Sequence, residues 1–160
     1  MESPGFDLDK VIALAAESAP PASHALLADF AGAFLRGLER GDPAGEGALA
    51  LRVAEAFAFA SARRAGEIRV QMSSPAEHPG RSVLALLQDD RPFLVATIRC
   101  TLRRLELRER VFLHPVLGVR RDAAGALTAI DDAPDAPRES LMHIELSPRI
   151  EEPALCAEVE

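Results

Sequence analysis

The stretch Leu86-Leu87-Gln88-Asp89-Asp90-Arg91-Pro92-Phe93-Leu94-Val95 constrains the fold more than any other part of the chain, because an apolar run, an acidic turn and a helix start follow one another without a spacer. Asp90 has the chemistry of a helix N-cap: its carboxylate can accept the backbone N–H of Phe93, and Pro92, which has no N–H to leave unpaired, suits the first turn. The spacing predicts a helix from about Arg91. Val95, Ile98, Leu102 and Leu105 then recur at helical intervals, with Arg99, Arg103, Arg104 and Glu106 between them, so one face is buried and the other wet. Such a helix packs on a sheet.

Upstream the apolar pattern is helical, and it changes to alternation near Gly66. Asp7 to Glu17 reads as a short helix, and Ser18-Ala19-Pro20-Pro21-Ala22-Ser23 as a breaker. Leu27, Phe30, Ala31, Phe34, Leu35 and Leu38 form a stripe, with Ser23 as its cap and Gly41 as its stop. Gly41-Asp42-Pro43 turns the chain into a second stripe, Leu49, Val53, Phe57 and Ala60, running toward Arg63 and Arg64. These two helices are expected to pair antiparallel. Phe59 falls with Arg52 and Arg63, off the stripe; it either faces another part of the protein or another subunit, or is an isolated exposed apolar residue, the commoner case.

Beyond Gly66, Ile68, Val70 and Met72 alternate with Arg69 and Gln71 as in a strand wet on one face. Val83 to Leu87 is apolar on both faces, which places it centrally in a sheet. Val111 to Arg121 reads as one long strand, Asp122-Ala123-Ala124-Gly125 as a turn and Ala126 to Ile130 as the returning strand. Asp131 to Arg138 is a solvent loop, and Ser140 to Leu146 alternates as a last strand, stopped by Pro148. Glu151 to Glu160 has the composition of a helix start. The fold class is therefore α+β: a helical pair in 1–65, a mostly antiparallel sheet with a crossing helix in 66–150, and the beginning of a helix or tail in 151–160.

A net charge of −7 over 160 residues opposes nonspecific binding to nucleic acid or anionic membranes. No apolar run approaches the roughly 20 residues that span a bilayer, and the acidic start Met1-Glu2-Ser3-Pro4-Gly5-Phe6-Asp7 is unlike a secretory signal. A cytoplasmic location follows as the expectation. With only Cys100 and Cys156, neither a disulfide framework nor a four-cysteine zinc site can be assembled. Arg99, Arg103, Arg104, Arg108 and Arg110 form a basic strip, yet base stacking on a sheet needs aromatic rings, and the chain has no Tyr or Trp.

Few residues suggest chemistry. His114 and His143 fall on neighbouring strands near Glu145, but zinc needs three or four aimed ligands with supporting contacts; strand histidines hydrogen-bonded to backbone or carboxylate are the better reading, with no metal. Cys100 sits past the electropositive start of its helix with no histidine placed beside it, and is expected to be packing filler. The acidic pairs Asp89/Asp90, Asp131/Asp132 and Glu151/Glu152 each sit at a loop or helix start, where capping and solvation explain them. Gly41, Gly45 and Gly47 do not follow a strand, so no dinucleotide-binding turn is present and no cofactor or catalytic residue is expected.

Strand, Asp-Arg-Pro helix start and antiparallel strands together resemble an ACT domain, a ferredoxin-like βαββαβ module. More specifically, Asp89-Asp90-Arg91-Pro92-Phe93-Leu94-Val95, His114-Pro115-Val116-Leu117-Gly118-Val119-Arg120-Arg121-Asp122 and Arg138-Glu139-Ser140-Leu141-Met142-His143-Ile144-Glu145, in that order, resemble the amino-terminal region of the large bacterial NAD-specific glutamate dehydrogenases. The resemblance covers roughly residues 22–150. It implies a noncatalytic regulatory or oligomerisation module, with the dehydrogenase chemistry elsewhere and a homo-oligomer or the remainder of a larger enzyme as partner. It also implies an alternative, a free-standing sensor that binds an amino-acid effector near Asp89, Asp90, Arg91 and the N–H of Phe93. Two positions depart from the pattern: Phe93 stands where amino-acid-binding ACT modules commonly carry glycine, and Ala96 where an acidic residue is expected. The module's second helix would start at the end of the chain, so its last strand is expected to be missing, with the strand Ile68 to Met72, the N-terminal helices or dimerisation covering the open edge.

Overall fold

Two compact units make up the chain in a computed structural model that describes residues 5–38, 44–74 and 82–147. The first unit is Met1–Ala65 with Leu117–Pro137, and the second Gly66–Val116 with Arg138–Glu160. The chain thus divides near Gly66, where the apolar period changes, but the segment 117–137, which the sequence assigns to the sheet domain, groups with the N-terminal helices. The turn at Gly41-Asp42-Pro43, Pro148, Cys156 and the helix expected over 151–160 lie outside the described residues.

Among the described residues the first unit holds three α-helices, the short one expected over Asp7 to Glu17 and the two striped ones. Helix α1 (Leu8–Ala16) starts where the Asp7 carboxylate accepts the N–H of Lys10 at 3.3 Å, a side-chain cap of the expected kind. After a 3-10 turn at Pro21–Ser23, α2 (His24–Leu35) and α3 (Glu46–Ala60) follow. Ser23 does not cap α2: its hydroxyl donates to the carbonyl of Pro20 instead. Phe30 organises the core, stacked on Phe34 with ring centroids 5.7 Å apart and edge-on to Phe57 at 5.4 Å, within Leu27, Leu49 and Val53, all fully buried. Burying each such side chain contributes about 1.5–3 kcal/mol. Lys10 and Glu46 join α1 to α3 through an ion pair of 2.6 Å.

Of the two readings of Phe59, the exposed one fails: Phe59 is buried, as are Arg52 and Arg63, so the second face of α3 is covered as well as its stripe. Helix α3 stops at Ala60 because the backbone beyond it pairs with a hairpin. That hairpin consists of β4 and β5, with β4 spanning Val116–Arg121 and β5 spanning Leu127–Ile130. The N–H of Leu127 donates to Ser61 O at 2.8 Å, and that of Arg63 to Gly125 O at 3.0 Å. Gly125 is required at the turn: its φ is +90°, and a Cβ there would lie 2.5 Å from the carbonyl oxygen of Arg63. Asp122 completes the turn by accepting from the N–H groups of Ala124 and Ala126. Downstream, Arg120 pairs with Asp131 at 2.7 Å and Asp135 at 3.3 Å, and Ala136 is buried, so the expected solvent loop is an ordered connection.

The second unit is a four-stranded antiparallel sheet in the order β1-β2-β6-β3, made of β1 (Arg69–Ser73), β2 (Ser82–Asp89), β6 (Arg138–Ser147) and β3 (Arg108–Leu113). Helix α4 (Leu94–Arg104) connects β2 to β3 with β6 between them, a split β-α-β arrangement. The expected long strand from Val111 is broken at His114-Pro115, since Pro115 has no N–H to give a ladder and restricts the residue before it. In a βαββαβ module the last strand pairs with the first. Here β1, which precedes the module, occupies that edge of β2, in the register Val70↔Leu86 and Met72↔Leu84. Strand β6, paired with β2 on one edge and β3 on the other, is buried on both faces rather than alternating. On one face Leu84, Leu86, Met142, Ile144 and Leu146 form a core with Leu102 of α4, flanked by Val95, Ile98 and Leu105 as the stripe predicts. Ile68 lies ahead of β1 and is exposed.

Candidate functional site

The residues singled out around the helix start gather at one end of the second unit, where β2 ends, β6 begins and β3 finishes. Register places Gln88 opposite Ser140 and Asp89 opposite Glu139. One residue on, the N–H of Asp90 donates to the carbonyl of Arg138 at 3.0 Å. This bond extends the β2–β6 pairing and turns the chain away from the sheet.

Asp90 is not the N-cap. Helix α4 begins at Leu94, and Phe93 occupies the cap position in a left-handed conformation, φ 68° and ψ 4°, with no side chain accepting from the first turn. The carbonyl of Phe93 accepts the first helical bond from Thr97 at 2.9 Å. Pro92 fixes the reason: it stands in the turn before the helix, so the three residues Arg91-Pro92-Phe93 are spent reversing direction. Left-handed backbone costs an ordinary residue about 1–2 kcal/mol and costs glycine nothing. The geometry therefore accounts for glycine at this place in ACT modules, and Phe93 adopts it against its own preference. Its ring is 81% exposed; Arg91 is exposed as well. The N–H groups of Leu94, Val95 and Ala96 have no side-chain cap, and they form the electropositive end of α4.

His114 reaches the same end of the sheet. A ring nitrogen of His114 is hydrogen-bonded to the hydroxyl of Ser140, 26 residues away in sequence. Burial pushes the His114 pKa below its ordinary value of 6.5, and the negative charge of Asp90 acts in the opposite sense. Asp90, His114 and Ser140 thus form one polar corner beside the α4 start. Ser140 was not marked out by the sequence, because nothing local pairs it with His114; only the β2–β6–β3 register brings them together.

His143 and Glu145 lie elsewhere. Phe112 is opposite Ile144 and packs on the α4 side of the sheet, whereas Leu113 is opposite His143. Alternation then assigns His114 and Ser140 to the α4 face and His143 with Glu145 to the other, so the two histidines cannot share an ion. His143 Nε2 is 3.7 Å from Glu145 Oε1, both residues being buried. Among the described residues no group of three or more His, Cys, Asp or Glu is placed to hold a metal ion. Cys100, expected as packing filler, is exposed on α4. Next to it in sequence, Arg99 forms a bidentate pair with Glu109, its Nε 3.0 and 3.1 Å from the two carboxylate oxygens, and lies 4.4 Å over the ring of Phe112. The basic strip is partly neutralised by these contacts. No helix of the described residues is long and apolar enough to cross a membrane.

Comparison with known proteins agrees with this architecture. No curated protein and no solved structure matches the chain. A family model described as the ACT1 domain of glutamate dehydrogenase matches residues 30–160, from within α2 through the whole of the second unit. An α+β chain with an ACT-like, ferredoxin-like sheet and a match over most of its length belongs to the glutamate dehydrogenase ACT1 domain family.

Proposed function

We propose that this chain is a noncatalytic regulatory and assembly module of an NAD-specific glutamate dehydrogenase of cytoplasmic glutamate catabolism, and that hydride transfer takes place in a catalytic part outside these residues. The observation that carries this reading is the family match over 30–160 coinciding with the ACT-like order β2-α4-β3-β6. The sequence contributes a second support, the lack of a glycine-rich turn between strand and helix. A homo-oligomer, or the rest of the enzyme, is the partner that such a module requires.

Amino-acid sensing is the second reading. The uncapped N–H groups of Leu94, Val95 and Ala96 beside Asp90 favour it, since a carboxylate binds well at such a helix end. Phe93 opposes it, because a ring replaces the glycine that lets a ligand approach the backbone. Calorimetric titration of the purified chain with arginine, aspartate and glutamate separates the two. The assembly reading expects no saturable heat for the wild type; saturable binding by any of the three would transfer the function to sensing. The Phe93→Gly variant shows whether the ring alone closes the site.

A further inference from the structure

A hollow of about 360 Å³ lies within the first unit, bordered by the 3-10 turn, α2, the end of α3 and β5. That volume falls in the range of small-molecule sites, about 300–1,000 Å³, and a cavity of roughly 150 Å³ walled by aliphatic groups already holds benzene. Leu27, Phe57 and Leu127, all buried, form its floor, whereas Ser18, Ala58 and Ser61, all exposed, stand at its mouth. An apolar body of benzene's size fits inside.

The polar groups of the wall select the head that such a body carries. No lining side chain is charged. Outside the α-helices, the backbone N–H groups of Ser18, Ala19, Ser23, Ser61 and Leu127 all donate to carbonyls of the fold, and that of His24, at the start of α2, donates to Pro21 O. The serine protons are committed as well: Ser18 donates to Ala15 O at 3.0 Å, Ser23 to Pro20 O at 2.8 Å and Ser61 to Ala58 O at 2.7 Å. Each hydroxyl oxygen nevertheless keeps lone pairs that can accept. Helix α1 acts in the same sense, since it ends at Ala16 with Glu17 as its C-cap and no basic residue in its last turn. A carboxylate entering here would lose its water and find none of these donors free. An N–H or O–H finds acceptors.

We propose that this hollow binds a small molecule made of an apolar body and a hydrogen-bond-donating head, an amine or a hydroxyl, without a carboxylate. The body covers the floor, where water has little to bond to, and the head stays at the mouth with the hydroxyl oxygens of Ser18 and Ser61. Glu17, exposed and adjoining Ser18, favours an ammonium head over a neutral one. The site is independent of the assembly reading above, and either can fail alone.

Methyl NMR of the full chain tests this by titration with three probes that share one ring and differ in the head: benzylamine, benzyl alcohol and benzoate. Benzylamine and benzyl alcohol should each move the methyl signals of Leu26, Leu27 and Leu127 saturably, and benzoate should bind at least about tenfold more weakly than either, as burial of an unpaired carboxylate dictates. Tighter binding of the amine than of the alcohol assigns the head as an ammonium; equal binding assigns it as a neutral donor. The Ala58→Phe variant places a ring at the mouth from an exposed position of α3, and it should weaken binding of both probes at least about tenfold while thermal unfolding shows it folded. On the wild type alone, the absence of saturable shifts at these leucines with the amine and the alcohol overturns the site. Benzoate binding as tightly as the other two overturns the ligand class. A folded Ala58→Phe that binds like the wild type overturns the location.

Discussion

Phe93 concentrates the tension in this structure. A φ of 68° is available to glycine without penalty, and the exposed ring makes no compensating core contact. Phe93→Gly should therefore stabilise the isolated chain by about 1 kcal/mol, a rise of a few degrees in the thermal midpoint. Chemical denaturation of the two proteins side by side measures this; an equal loss of stability would mean that the ring packs in the fold. His114 makes a second prediction at this scale. Its pKa is held below 6.5, chiefly by burial, so between the lowered folded value and the ordinary one the unfolded chain binds the extra proton. Stability contributed by neutral His114 is then fully present above pH 6.5 and is lost as pH falls through that value toward the folded pKa. His114→Gln, which can keep a bond to Ser140, should flatten the fall in thermal midpoint on acidification below neutrality. An unchanged pH profile would assign the dependence to other groups.

Helix α4 shows how an element can be legible in its middle and misread at its ends. The stripe Val95, Ile98, Leu102 and Leu105 faces the sheet core as periodicity dictates. The start was misplaced because Asp-Arg-Pro has the chemistry of a cap, but Asp90 is held by the carbonyl of Arg138, a strand contact that no local pattern reveals. At the other end Leu107 N–H bonds Leu102 O at 2.9 Å and Glu106 N–H bonds Arg103 O at 3.0 Å, a Schellman closure with Glu106 at φ 57° where glycine is usual. Asp90→Ala should thus cost the helix well under the ~1 kcal/mol that losing a true cap costs, whereas Glu106→Gly should stabilise by about 1 kcal/mol. Equilibrium unfolding of both variants is the check, and a destabilisation of Asp90→Ala as large as a lost cap would restore that residue to the capping role. The break at His114-Pro115 could have been read from Pro115 itself. The burial of Phe59 could be raised only as one of two readings, since helical spacing describes one stripe and does not say what covers the opposite face.

On the scale of the whole chain, composition and period locate the change near Gly66 but not the return of residues 117–137 to the N-terminal helices. That grouping depends on backbone bonds from Ser61 and Arg63 to the β4–β5 turn, contacts more than sixty residues apart that leave no periodic trace. Strand β1 likewise takes the edge of β2 that the last strand of a βαββαβ module would fill, a substitution of one segment for another that preserves the sheet while changing its connectivity. The family was legible in three short motifs because they encode the turn at 90–93 and the strands around it. The candidate corner of Asp90, His114 and Ser140 was legible only in part, since its third member depends on register.

The central claim is that these residues regulate and assemble but do not perform the dehydrogenase reaction. Its most direct test is to incubate the purified chain with glutamate and NAD and to follow formation of the reduced nicotinamide. The account predicts no glutamate-dependent reduction above a protein-free blank. Saturable turnover that scales with the amount of chain added would contradict it.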